Sequence, residues 1–143
     1  MSDVFRWNDF LGFAKDILNN RLAVSEGAEA RYRAGISRAY YFVFHESEKY
    51  LLEIQPDYDV KVKDAKGSHD KVILGFKQMK NPHRRKIGND LDKIKVMRVR
   101  ADYDERPYNR RGEKGSAVDE LHQAIFYAEK ISEQIARCRQ HST

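Results

Sequence analysis

The chain has 143 residues, 41% of them hydrophobic and 11% aromatic, with a net charge of +5 and one cysteine. That length and composition suit one domain, spanning residues 1–143, with a core of its own, and they exclude a disordered or low-complexity chain. The single Cys138 excludes an internal disulfide and a cysteine-based zinc site.

No run approaches the ~18 apolar residues that a bilayer span needs. The stretch MSDVFRWNDF lacks the basic start and apolar centre of a signal peptide. The expectation is a cytoplasmic protein with no membrane part. The charge is uneven: residues 77–114 hold thirteen Lys/Arg against six Asp/Glu, a net of +7, and the remainder is slightly acidic. Such a segment suits an anionic partner such as RNA, DNA or a nucleotide phosphate, or else a solvated basic face.

Phe5–Leu22 is predicted as a first helix, with Phe10, Phe13, Ala14, Ile17 and Leu18 as its stripe and Asn8 as a cap. A long central helix, Glu26–Ile54, follows, with Ser25 as cap and Pro56 beyond its end. Ile36, Tyr40, Val43, Ser47, Leu51 and Ile54 make one stripe. On the other side Arg31, Arg38 and His45 recur at seven-residue steps, about 10 Å apart along one line. Tyr41, Phe42 and Leu52 flank that line. Apolar residues on both sides mark a helix with neighbours all round.

Gln55–Gly67 reads as a loop, and Asn81-Pro82 either ends a third helix, His69–Met79, capped by Ser68, or begins a turn. Val72, Ile73, Phe76 and Met79 share one face of that helix, and His69 in its first turn points toward the bundle. A fourth helix is predicted at Asp90–Tyr103, capped by Asn89. Leu91, Ile94, Arg98, Ala101 and Asp102 share one of its faces. Val96, Val99 and Tyr103 share the other, which calls for a cover from this chain or from a second copy in a two-fold homodimer. Glu105–Gly115 is a basic loop. Ser116-x-x-Asp119 forms a capping box for the last helix, Ala117–Arg139, and residues 140–143 fray. The fold class is all-α: an up-and-down bundle of about five helices.

The sharpest local feature is Arg98-Val-Arg-Ala-Asp-Tyr103, which sets a cation and a carboxylate one turn apart on an otherwise apolar face. Such a pair either ties helices together or serves a site. The chain has no P-loop, no G-x-G-x-x-G after a strand and no zinc-finger spacing. His45, His69 and Asp102 lack metal-ligand spacing, so no metal or cofactor is expected. Helix-turn-helix DNA binding is disfavoured by the long connections and by the core character of the longest helix.

ISRAYYFVFHESEKYL (Ile36–Leu51), GSHDKVILGF (Gly67–Phe76) and MRVRADYD (Met97–Asp104) together resemble, in order and spacing, the three signature segments of HEPN domains. The nearest branch has a helix reading L-R-x-x-A-D-Y. The resemblance implies a small, usually dimeric helical bundle. Its members include metal-independent ribonucleases of toxin–antitoxin, CRISPR or phage-defence systems, nucleotide- or RNA-binding proteins, and partners of a nucleotidyltransferase. The family's ribonuclease motif is R-x(4–6)-H. Arg98 matches its arginine, but Tyr103 stands at the histidine position and no histidine occurs from Ala101 to Asn109.

Tyrosine is a poor base near neutral pH, where histidine serves well. The expectation is therefore an RNA- or nucleotide-binding protein, with or without an antitoxin or nucleotidyltransferase partner. The alternative is a divergent metal-independent ribonuclease using Arg98 with Tyr103, Asp102 or His45; a second alternative is an interaction subunit of a nucleotidyltransferase partner. Phosphate contacts are expected from Arg38, Arg98, Arg100, Arg106, Arg110 and Arg111, with His69 and Tyr41 in support.

Overall fold

The computed structural model describes residues 5–20, 27–63, 65–108 and 116–141. The predicted helix end at Leu22, the Ser25 cap, the Glu26 start, and Arg110 and Arg111 lie outside them. The described residues form six helices and no strand: α1 (Asn8–Asn20), α2 (Ala28–Ile54), α3 (Tyr58–Lys61), α4 (Ser68–Lys77), α5 (Pro82–Tyr103) and α6 (Ala117–Gln140). The all-α bundle is as the periodicity predicts. No helix among them is long and apolar enough to cross a membrane.

α2 is the central element and packs against α1, α4, α5 and α6. Ile36, Tyr40, Val43, Ser47 and Leu51 of its predicted stripe are buried, and so are Ala39, Phe42, Phe44 and Tyr50 from other sides of the helix. Each large apolar side chain removed from water contributes roughly 1.5–3 kcal/mol, so a helix buried all round anchors the fold. It begins at Gly27, whose φ of 87° suits only glycine without strain.

Several details differ from expectation. α1 starts at Asn8, because Phe5, Trp7 and Phe10 gather edge-to-face instead, with ring centroids 5.0–5.4 Å apart. Phe13 is exposed, since the buried line of α1 centres on Ala14, one helical residue round. α3 lies within the stretch predicted as a loop; one turn is too short to display a period, yet Tyr58 and Val62 are buried there at i, i+4. α4 includes Ser68, with Gly67 at the cap position.

The largest correction is α5. Asn81-Pro82 opens this helix rather than closing the previous one. The Asn81 side chain accepts from the backbone N–H groups of His83 (2.8 Å) and Arg84 (3.3 Å), and Pro82 takes the first turn, where its missing N–H costs nothing. Asn89, predicted as a cap, is mid-helix. The run His83–Lys86 has no apolar residue, so the first turn carries no stripe to read. α6 begins with the predicted capping box, Asp119 N–H on Ser116 Oγ and Ser116 N–H on Asp119 Oδ2, both 3.1 Å.

α4 and α5 cross tightly at Gly88. A Cβ there would lie 2.8 Å from the Lys77 backbone nitrogen and 2.9 Å from the Ile73 carbonyl oxygen. The crossing is flanked by the ion pairs Lys77–Asp92 (2.7 Å) and Lys95–Asp70. This packing sets α5 against both α2 and α4, and so positions the group described next.

Candidate functional site

Leu91, Ile94, Arg98 and Ala101 all face the core of the bundle, which carries the Arg98 guanidinium inward; the residue is only 7% exposed. Its surroundings are aromatic. The guanidinium carbon lies 5.2 Å from the centre of the Tyr40 ring, 5.6 Å from Tyr41 and 5.7 Å from Tyr103. The negative faces of such rings attract a cation but offer no lone pair to its N–H groups.

The one carboxylate in reach among the described residues is Asp102, one turn on, with Oδ2 3.5 Å from Arg98 Nη1. Asp102 also accepts a hydrogen bond from Ser37 of α2 at 3.2 Å. Arg98 Nε is buried without a hydrogen-bond partner. A buried cation with one long ion contact, the Tyr40 hydroxyl as a polar neighbour and an orphaned N–H is not fully paired, whereas burying charge ordinarily demands full pairing.

Next to Arg98, the Tyr40 hydroxyl lies 2.6 Å from Nδ1 of His69, at the start of α4. The His69 ring stacks on Phe44, with centroids 4.0 Å apart and planes within 7°. Burial raises the Tyr40 pKa above the ordinary phenol value, against the pull of the Arg98 charge. Burial lowers the His69 pKa, and the positive charges of Arg98 and Lys95 lower it further. Both groups are therefore held neutral, whichever ring carries the bridging proton.

The other predicted residues divide. Tyr41 borders the Arg98 pocket. Tyr103 stands at its rim, 70% exposed. His45 turns toward the segment before α1: its ring stacks on Trp7 at 3.5 Å, and ring contacts with Tyr41 (6.3 Å) and Phe44 (5.4 Å) lead back toward Arg98 and His69. Burial lowers its pKa, opposed by Glu48. Arg38 is exposed, with its guanidinium 4.9 Å over Phe10. The neighbour that α2 gives Asp102 is thus Ser37, not Arg38, and the histidine most closely tied to the pocket is His69, not His45.

Arg100 and Arg106 serve the end of α5. Arg100 pairs with Glu120 at 3.3 Å and lies 4.0 Å over the Tyr108 ring. Arg106 forks onto Asp104 at 2.9 and 2.8 Å. Arg33 of α2, unremarked in the sequence, is the organiser here. Its guanidinium donates to the carbonyls of Ala101 (3.3 Å), Asp104 and Arg106 (2.7 Å), and it faces Tyr108 from 4.9 Å. It satisfies carbonyls that the end of a helix leaves open. Burial raises the Tyr108 pKa to about 12.

Among the described residues no three His, Cys, Asp or Glu side chains group closely enough to hold a metal ion. The surroundings of Arg98 combine a cation, an anionic neighbour, a neutral imidazole–phenol pair and an exposed aromatic ring. That set can bind a phosphate and stack on a base. No protein-family model, curated protein or solved structure matches this chain.

Proposed function

We propose that this chain is a HEPN-like protein that binds RNA or a nucleotide, with Arg98 as its phosphate contact. The observation that carries this reading is the incomplete pairing of Arg98: 7% exposed, 3.5 Å from the one carboxylate in reach among the described residues, with Nε unpartnered. A phosphate oxygen supplies what is lacking. It can take the place of Asp102, because a guanidinium fork accepts either anion at two points. Tyr103, exposed at the rim, then lies where a base adjoining that phosphate would stack. The likeness of three segments to HEPN signatures supports the same reading.

The test is binding of a fluorescent single-stranded RNA at one fixed salt concentration. Arg98→Ala is expected to weaken it at least about tenfold, some 1.4 kcal/mol, and to flatten the salt dependence by about one phosphate contact. Equal binding by parent and variant would sink the proposal.

The Tyr40–His69 pair favours a second reading, a metal-independent ribonuclease. A neutral imidazole can take the ribose 2′-OH proton. The 2′-oxygen then attacks phosphorus, the P–O5′ bond breaks, the 5′-oxygen takes a proton from water, and a 2′,3′-cyclic phosphate results. Arg98 would stabilise the charge that builds on the phosphorus oxygens. Here His69 takes the part that the sequence assigns to His45. Incubation with total RNA decides it: cyclic-phosphate ends that are lost in both Arg98→Ala and His69→Ala support cleavage.

A place in a toxin–antitoxin or phage-defence system, with an antitoxin or nucleotidyltransferase partner, follows from the family likeness. The homodimer is proposed to form across Val96, Val99 and Tyr103 of α5. These are 67%, 41% and 70% exposed, with no covering helix among the described residues.

A further inference from the structure

The aromatic surroundings of Arg98 continue to the surface. From the guanidinium a line of rings runs outward: 5.6 Å to Tyr41, 6.3 Å from Tyr41 to His45, and 3.5 Å from His45 to Trp7. There Trp7 is 41% exposed, and Phe5, edge-to-face with it at 5.0 Å, is 54% exposed. Phe10 stands 5.4 Å from Trp7, and the guanidinium of Arg38 lies 4.9 Å over the Phe10 ring. Arg38 and His45 belong to the seven-residue line of α2 that the Arg98 pocket leaves unused.

Packing explains part of this arrangement. The gathered rings fix the start of α1 against α2, which accounts for the half-buried Phe10. It does not account for Trp7 and Phe5, which keep much of their surface in water at the same spot. Single exposed apolar residues are common, whereas contiguous ones mark contact sites. Nor does packing need the cation. Arg38 is exposed, its contact with Phe10 uses the face of the ring and none of its own N–H groups, and no carboxylate among the described residues pairs with it. Glu48 stands 4.0 Å from Nδ1 of His45, so an anion is disfavoured at the imidazole and favoured at Arg38. An exposed indole with a cation to one side suits a single-stranded nucleic acid, with a base on the ring and a phosphate on the guanidinium.

We propose that the ligand of the Arg98 site is a single RNA strand of several nucleotides rather than a mononucleotide, with a further base stacked on Trp7 and the phosphate beside it on Arg38. The inference rests on the reading of Arg98 as a phosphate contact and adds the substrate class. Two rings, Tyr41 and His45, separate Trp7 from Arg98. A nucleotide with its phosphate on Arg98 and its base on Tyr103 therefore leaves Trp7 untouched, whereas a later nucleotide of the same strand reaches it. His45 backs the indole, with ring planes within 23°, and so holds the platform in place. Such stacking tolerates any sequence, because every base has a π-face.

Trp7 is the one tryptophan of the chain, so its fluorescence reports this platform directly. The full chain is titrated at one fixed salt concentration with a short oligouridylate, with an abasic strand of equal length, and with UMP. The oligouridylate is expected to quench Trp7 saturably, and the other two are expected not to at the same concentrations. In a parallel measurement on a labelled oligouridylate, Trp7→Ala should weaken binding at least about fivefold, and Trp7→Phe should restore most of the loss. Arg38→Gln alters an exposed side chain and should leave the melting temperature unchanged. It should lower the salt dependence by about one phosphate contact while full quenching is still reached at saturation. The proposal is overturned if the strand binds without quenching, if UMP or the abasic strand quenches as strongly, or if Arg38→Gln and Trp7→Ala both bind as the parent does. Binding that is lost in Arg98→Ala yet indifferent to Trp7 and Arg38 overturns this inference alone. Binding that Arg98→Ala leaves unchanged overturns the Arg98 reading and this inference with it.

Discussion

The Tyr40 hydroxyl and Nδ1 of His69 meet at 2.6 Å, tying the middle of α2 to the first turn of α4 beside the one buried arginine of α5. Both groups are held neutral by burial, and the Arg98 charge reinforces this at His69 while opposing it at Tyr40. The pair therefore couples the protonation of His69 to the folding of the bundle.

That coupling has a sign. The ordinary value for histidine is about 6.5, and folding lowers it for His69. Between the two values the unfolded chain binds the extra proton, so stability rises with pH across that window. The contribution is complete above pH 6.5 and is lost as the pH falls through the folded value. His45 acts in the same direction. Urea midpoints measured between about pH 7.5 and pH 5 should fall on acidification. They should fall less in His69→Phe, which keeps the stack on Phe44. Identical slopes would show that His69 does not report on folding.

Asp102 competes with any anion for Arg98 and is itself held by Ser37. Asp102→Asn keeps the shape and removes the charge. It is expected to lower stability by about 1 kcal/mol, because a charged hydrogen bond becomes a neutral one. It is also expected to tighten RNA binding at fixed salt. A variant less stable and weaker in binding would mean that Asp102 orients Arg98 rather than occupying it.

Val96, Val99 and Tyr103 form an exposed apolar stripe along α5. Sedimentation at micromolar concentration should show a dimer, and Val96→Glu with Val99→Glu should give a folded monomer. A parent that sediments as a monomer would rule out this interface.

Gly88 lies where α4 and α5 touch backbone to backbone. Gly88→Ala improves local helix propensity yet puts a methyl group 2.8 Å from the Lys77 nitrogen. The two helices must part, at a cost of about 1–3 kcal/mol. Thermal unfolding checks this; an unchanged or higher melting temperature would mean that the crossing is looser than it stands here.

Much of the helical architecture was legible because it is local. A period of 3.6 shows directly in Ile36–Tyr40–Val43–Ser47–Leu51, and a capping box in Ser116 and Asp119, since the partners lie within a turn or two of one another. The Arg98–Asp102 pair was readable for the same reason. The start of α5 was missed because Asn-Pro signals a helix end and a helix start alike. With a polar run after it, only the two bonds to Asn81 reveal which it is.

What tertiary structure alone decided concerns contacts remote in sequence. That His69 rather than His45 joins Tyr40 follows from the packing of α4 beside α2, and Trp7, just before α1, claims the other imidazole. That Arg33, unmarked in the sequence, closes the end of α5 follows from carbonyls about seventy residues away. Periodicity tells which face of a helix is buried. It does not tell which neighbour that face meets, because the free energy of burial is nearly indifferent to partner, whereas the reach and direction of a hydrogen bond are not.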